Sequence, residues 1–315
     1  MSSFRIVRYE SSLEKLWNDF LKRSRNATFL FDRGYMDYHS DRFEDCSWLA
    51  FKGERLMAML PANITAEGIL QSHGGLTYGG WILPDAHVDG NDVLEIFEEA
   101  CKVWKKCGIK ALDYKTMPYF YCSRPSDEDQ YALFRLGAVL TASAISATID
   151  LRNPGKFNQL QRRHLAKASA LPLDIRQTED IDGFMRMLAS CLKERHDTLP
   201  VHTSEEMKLL SSRFPQNIKF YVALLEGSVE AGVCIYDTGR VAHAQYIATT
   251  PKGRELNLLS PLVSHLVKEV YASADYFDFG ISTEDNGRIL NSGLLRQKYS
   301  FGATGTVYNR YLLNL

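Results

Sequence analysis

A chain of 315 residues is long for one domain, so two domains of roughly 150 residues are expected, each able to bury its own core. The composition, 45% hydrophobic and 24% charged, excludes a disordered or fibrous class. With 37 basic against 38 acidic residues, bulk electrostatics does not point to nucleic acid or to an anionic membrane, and any anionic ligand must be met by local charge.

The opening MSSFRIVRYESS has no apolar signal region, and no apolar run reaches about 18 residues, so a cytoplasmic protein without a membrane span is expected. Residues 11–24 place Leu13, Leu16, Trp17, Phe20 and Leu21 on one helical face, behind Ser11 or Ser12 as a cap. Two strand-like runs, SWLAFKG and RLMAMLPANI, turn at Lys52, Gly53 and Glu54 and predict a hairpin. The glycines of SHGGLTYGG (Gly74, Gly75, Gly79, Gly80) allow close backbone approach or positive φ. Helical spacing from Asp89 to Cys107 stops at Gly108. The strand KALDYKT, a helix near 126–136 and the strand SAISATIDL close the first half.

Asn153, Pro154 and Gly155 mark the crossing to the second half, so domains of 1–152 and 153–315 are expected. A helix carrying Arg162, Arg163, His164 and Lys167 follows, then an amphipathic helix over 181–195. Thr203 with Glu206 matches a capping box. The strands KFYVALLEG, EAGVCIYD and RVAHAQYIATT precede a helix from about Leu258 to Tyr271 and the strand FDFGIS.

The halves share a grammar. Asp113 stands 24 positions before Gly137, and Asp278 stands 24 before Gly302. Aligned on these ends at a shift of 165, Trp81 corresponds to Tyr246 and Ile82 to Ile247. The fold expected is α/β, one domain type built twice, each copy a mixed, mostly antiparallel sheet flanked by helices. The six cysteines show neither CxxC nor zinc-type spacing, so reduced, mostly core thiols and no metal are expected.

The segments PVHTSEE, AQYIATTPKGRE, FDFGISTEDNG, ILNSGLLRQKYSFGA and SHGGLTYGG together resemble the GNAT-type N-acyltransferases of the FemAB-related group. The resemblance covers nearly the whole chain and implies tandem GNAT-like domains. It also implies transfer of an acetyl or related acyl group from acyl-CoA to an amine on a sugar nucleotide, glycan or cell-envelope precursor. The alternatives are a FemX-like aminoacyl-tRNA-dependent transfer to a peptidoglycan precursor, and a non-catalytic module that binds sugar nucleotides.

In a GNAT fold two strands splay apart to expose backbone amides, and the next helix N-terminus receives the donor pyrophosphate. The matching positions here are Tyr246, Ile247, Ala248, Lys252, Gly253 and Arg254, with Asn291 added on the last helix. The chain departs from the pyrophosphate loop: Lys252 fits its first position, but Glu255 and Asn257 replace the later Gly and Gly/Ala.

Lys298 matches the family's K-x-x-F-G through Phe301 and Gly302, as a cation opposite a developing oxyanion or a proton shuttle; otherwise it snorkels to the surface. Glu284 ends the strand FDFGIS as a base or as a helix cap. The first half has Tyr119 and Leu133 where the second has Glu284 and Lys298, so the second half is expected to hold the donor and the chemistry. Tyr299 is a candidate acid for the leaving group, and His202, with His196 near it, a candidate base. His243 alternates on its strand with Tyr246 on the opposite face, where a lone histidine is more often structural. For the acceptor the candidates are His39, Arg42, His73 and Tyr78, with Arg162 and Arg163 for its phosphates.

Overall fold

The computed structural model describes residues 4–315, except for the side chain of His196. The chain divides into two compact units, one holding the residues up to Ile145 with Thr283–Ile289 and Val307–Leu315, the other Ser146–Ser282 with Leu290–Thr306. A single cut at 152/153 does not describe this. The strand Val139–Asp150 runs from unit 1 into unit 2, and the last strand, Thr304–Asn314, runs from unit 2 back into unit 1, so each closing strand is shared along its length.

In chain order the elements begin with β1 (Arg5–Arg8), α1 (Glu14–Leu21), α2 (Arg33–Met36), β2 (Glu44–Asp45), β3 (Trp48–Lys52), β4 (Arg55–Leu60), β5 (Asn63–Ile64) and β6 (Ile69–Gln71). Next come α3 (Gly90–Lys106), β7 (Ala111–Lys115), α4 (Glu128–Arg135) and β8 (Val139–Asp150). The second half adds α5 (Gln159–Ala168), β9 (Leu173–Thr178), α6 (Ile181–His196), α7 (Ser204–Arg213), β10 (Ile218–Leu225), β11 (Ser228–Asp237) and β12 (Val241–Thr249). It ends with α8 (Pro251–Glu255), α9 (Leu259–His265), β13 (Tyr276–Ile281), β14 (Thr283–Glu284), β15 (Ile289–Leu290), α10 (Ser292–Tyr299) and β16 (Thr304–Asn314).

Unit 1 has the antiparallel sheet β1-β3-β4 and the strand order β2-β5-β6-β7-β16, in which β6 and β7 run parallel. Its core packs Trp48, Trp81, Trp104, Phe97 and Tyr114 together. Unit 2 has the order β8-β13-β12-β11-β10-β9, antiparallel except for β12 against β13. Its core sets Ala242, Ala244, Phe277 and Phe279 of the sheet against Leu258, Leu262, Leu266 and Phe301. The larger strand array of each unit is therefore mixed and mostly antiparallel, as expected, while β1-β3-β4 is antiparallel throughout. No helix among the described residues is long and apolar enough to cross a membrane.

Local chemistry explains most of the elements. Asp89 caps α3 with a reciprocal box through Asp92, and Gly108 at φ 77° ends it. The β10–β11 hairpin turns on Glu226 and Gly227, both at positive φ, the geometry whose twist suits two-residue hairpins. The Thr203–Glu206 box forms on α7 as its spacing predicts.

Four expectations are corrected. Neither Ser11 nor Ser12 caps α1; those residues form a 3-10 turn, and no side chain caps the helix. The helix after Leu258 gives way to a π turn over Leu266–Val270. The copies do not align at Trp81 and Tyr246: Ile82 bridges Met59 instead, and the parallel partner of β7 is β6. The equivalent rungs are Gln71 against Asp113 and His243 against Asp278. Finally, a bulge on β12 leaves Gln245 without a partner on β11, since Tyr246 pairs with Cys234 and Ala244 with Ile235. The extra residue shifts the alternation, so His243 and Tyr246 share a face.

Candidate active site

The centre of unit 2 is the parallel pair β12 and β13. The strands are paired at Val241–Tyr276, Ala242–Phe277 and His243–Asp278, and beyond that rung they part. From Ala244 to Thr249, β12 stays paired with β11 on one edge while its other edge has no strand partner. On β13 the parting coincides with a bulge between Asp278 and Ile281, where Gly280 takes φ 74°. That left-handed turn is open to glycine and strained for other residues.

A cavity of about 670 Å³ opens at this parting, lined by Ile247 and Ala248 of β12, Phe279 of β13 and Leu294, Lys298 and Phe301 from α10 and the residues after it. Its polar wall is a bonded cluster: Ser260 donates to Gln161 at 2.5 Å, and Gln161 donates to Ser300 at 2.8 Å. Lys298 is buried, and its Nζ donates to the Gly280 and Ile281 carbonyls at 2.8 and 2.6 Å. Burial pulls the lysine down to about 8, against an opposing pull from Asp278. An ammonium has three donors, so one N–H remains for the cavity.

Asp278 is fully buried on the opposite face from Phe277 and Phe279. Its Oδ2 lies 2.7 Å from His243 Nδ1, and its Oδ1 accepts from Ser146 and Thr148 at 2.6 and 2.9 Å. Burial alone would raise this carboxyl, but the bonds from His243, Ser146 and Thr148 outweigh it and hold the group below its ordinary value. The sequence pattern marks Asp278 only as part of a repeat. The signal that it matters is an acid inside the apolar run YFDFGI, which must be paired if buried.

The segment expected to hold a pyrophosphate is differently employed. Thr250 caps α8 by accepting from Gly253 N at 3.0 Å, and its hydroxyl donates to the buried carboxylate of Glu230. An anion therefore already stands at this helix start. Gly253 is required by packing, since a Cβ there would lie 2.1 Å from the Glu230 carbonyl. Arg254 is bound to Glu194 at 2.9 Å and to the Thr249 carbonyl, and Lys252 pairs with Glu226 at 3.5 Å. These residues do not fit a coenzyme A diphosphate.

Of the other expected residues, Ile247, Ala248, Gly253, Arg254 and Lys298 line the cavity, whereas Tyr246, Lys252, Asn291 and Tyr299 do not. Asn291 caps α10 by accepting from Leu294 N, and Tyr299 is exposed. His202 is buried with Nδ1 2.5 Å from the Tyr246 hydroxyl, so two residues expected in different roles are joined. The side chain of His196 lies outside the described residues. Glu284 is exposed and belongs to unit 1, and its side chain makes no capping bond. Arg162 and Arg163 are exposed on α5, whose Leu160, Gln161 and His164 line the cavity.

In unit 1, His39 is buried and stacked on Tyr38 and His73, at centroid distances of 4.3 and 5.3 Å. Tyr78 is buried with its hydroxyl 3.0 Å from Thr28, and Arg42 alone of these candidates is exposed. Burial pushes His73 down to about 3, helped by His39 and Lys115. Lys115 is in turn drawn down to about 8 by burial while it donates to the His73 and Leu76 carbonyls at 3.1 and 2.6 Å.

Comparison with known proteins bears on the fold. Residues 158–286 match the model of the acetyltransferase (GNAT) domain. No curated protein sequence matches the chain significantly. Among solved structures the chain is similar to FemX, with TM-score 0.71 at 10% identity over 99% of this chain and 97% of that one. It is similar to a tandem GNAT protein from the clavulanic acid biosynthesis pathway, with TM-score 0.53 at 12% identity over 99% and 98% of the two chains. L-PGS from Bacillus licheniformis gives 0.56 at 13% identity over 81% and 80%. At such identities the likeness is one of fold. With FemX and a tandem GNAT protein as structural neighbours, the chain has a FemAB-related tandem GNAT fold with an acetyltransferase (GNAT) domain over residues 158–286.

Proposed function

We propose that unit 2 transfers an acyl group from an activated ester or thioester to an amine, with the reacting carbonyl at the parting of β12 and β13. The observation that carries this reading is the unpaired edge of β12 over a cavity of about 670 Å³ with Lys298 in its wall. The free strand edge offers backbone N–H groups to the acyl carbonyl. The remaining N–H of Lys298 stabilises the charge that develops on that oxygen. The fragment of the cavity walled by Leu188, Leu192, Leu259 and Leu294 suits the apolar part of the donor.

The donor is better read as an aminoacyl ester, as in aminoacyl-tRNA, than as acyl-CoA. Glu230 at the start of α8 and the pairing of Lys252 and Arg254 with carboxylates support this choice. The acceptor class, an amine on a sugar nucleotide, glycan or cell-envelope precursor, rests on the family resemblance. So does a part for unit 1 in acceptor recognition.

The test compares donors directly. Protein is incubated with either labelled acetyl-CoA or a bulk pool of tRNA charged with labelled amino acids, together with an aliphatic amine, and transfer is counted. Transfer from the aminoacyl ester is expected, with donor affinity falling steeply as salt rises. Efficient transfer from acetyl-CoA with little salt dependence would reverse the donor choice. Stabilisation by sugar nucleotides with no transfer from either donor would make the chain a binding module.

A further inference from the structure

We propose that His243, oriented by Asp278, is the general base that takes the proton from the attacking amine. The proposal rests on the acyl-transfer reading and adds a residue to it. His243 and Asp278 form the last rung of the parallel pair before the strands separate, so the ring stands at the edge of the parting. A Cβ built on Gly280 would come 3.4 Å from His243 Cε1, and the carbonyl of that same glycine receives Lys298. Imidazole and ammonium therefore both approach the bulge at Gly280.

The dyad is anchored rather than incidental. Asp278 takes His243 on one oxygen and the Ser146 and Thr148 hydroxyls on the other. The Thr148 hydroxyl lies 2.8 Å from that of Thr306, which extends the row to a fourth strand. An ionised acid so held fixes the tautomer with the proton on Nδ1 and leaves the Nε2 lone pair as the basic site. Among the described residues Nε2 makes no hydrogen bond, and it is absent from the fully enclosed polar atoms that lack a partner. The ring is buried, with 9% of the residue exposed, and does not line the cavity, so the amine would meet Nε2 from the face of the sheet opposite Phe279.

Unit 1 supplies the control. At the equivalent rung Gln71 Nε2 donates to Asp113 Oδ2 at 3.0 Å, and Arg310 binds both oxygens of the same acid, so unit 1 holds its carboxylate with an amide and a guanidinium. The second copy has a titratable ring where the first has none. In the step proposed, the incoming ammonium first gives one proton to His243 Nε2; the neutral nitrogen then forms the bond to the acyl carbon and sheds its second proton to solvent. The bond from that carbon to the donor oxygen or sulfur breaks with its electron pair, and the leaving atom takes a proton from solvent.

The experiment imports unit 1's solution as His243→Gln, which keeps a donor to Asp278. Wild type and variant are compared near neutral pH with acetyl-CoA and with bulk aminoacyl-tRNA, using ethanolamine or hydroxylamine as acceptor. Ethanolamine must lose a proton before it attacks, whereas hydroxylamine is already neutral. The expected result is a fall of about 100-fold with ethanolamine and a much smaller loss with hydroxylamine. Equal losses with both amines, or no loss with either, overturn the assignment. Should the variant fail to fold, carbethoxylation of His243 in the wild-type protein, located by mass spectrometry, replaces it: the same split between acceptors is expected, and an unreactive His243 overturns the proposal. A wild-type protein inactive with both donors overturns the acyl-transfer reading itself, and the base role with it.

Discussion

Lys298 reaches back from α10 to the carbonyl of Gly280, 2.8 Å away, and the contact exists because Gly280 sits at φ 74° in the bulge of β13. A regular strand would turn that carbonyl into its ladder. Here the bulge that separates β13 from β12 also aims the carbonyls of Gly280 and Ile281 at the ammonium. Opening the strand pair and placing the cation are one structural event. Lys298→Ala should therefore lower turnover by about tenfold or more with donor binding little changed, because the lost interaction is with charge that develops during reaction. Steady-state kinetics with the active donor checks this; an unchanged kcat removes Lys298 from the chemistry.

Stability should carry the signature of the same lysine. Its folded value of about 8 lies below its ordinary 10.5, so between those limits the unfolded chain holds a proton that the folded chain has shed. Stability from this group thus rises as pH goes from about 8 to about 10.5. Lys115, also near 8, contributes in the same direction. The Tm difference of Lys298→Met minus wild type should be most positive near pH 7 and fall towards pH 10. A difference that stays flat across that range would show the lysine to be solvated.

Much of this frame is legible in the sequence because its causes are local. The Thr203–Glu206 box, the Glu226–Gly227 turn and the matched Gly137 and Gly302, at φ 79° and 84°, each follow from residues a few positions apart. Tertiary pairings are legible only as unexplained polarity. Glu230 and Thr250 sit on different elements, 20 residues apart, and nothing local to either says that together they fill a helix start. The bulge at Gln245 is invisible for a related reason: strict alternation in VAHAQYIAT places His243 and Tyr246 on opposite faces, and one unpaired residue reverses that. Expectations that rest on an open surface fail at His39, His73 and Tyr78 because SHGGLTYGG packs inward, with Gly79 tight against the Ser72 carbonyl.

His73 should make unit 1 sensitive to acid. Burial lowers it to about 3 from an ordinary 6.5, so in that window the unfolded chain binds a proton that the folded chain refuses. Stability is lost as pH falls from about 6.5 towards 3. His73→Gln removes the titrating ring, and its Tm should decline less steeply than that of wild type over pH 6.5 to 4. Parallel declines for the two proteins would mean that His73 takes up its proton without opening the structure.

Glu230 is the sharpest test of which donor the fold accepts. Its carboxylate receives the Thr250 hydroxyl at the start of α8, where a diphosphate would otherwise find free amides and the positive end of the helix dipole. Two anions cannot share that position without repulsion. Glu230→Gln keeps an acceptor for Thr250 while removing the charge, so it should bind coenzyme A several-fold more tightly than wild type, with aminoacyl-ester turnover unaltered. Isothermal titration with coenzyme A measures the first and the donor assay the second. Equal affinities in the two proteins would mean that the diphosphate, if bound at all, lies away from α8. Arg195 and Arg296, exposed at the wall of the cavity and without an ion-pair partner among the described residues, would then be the cations to remove next.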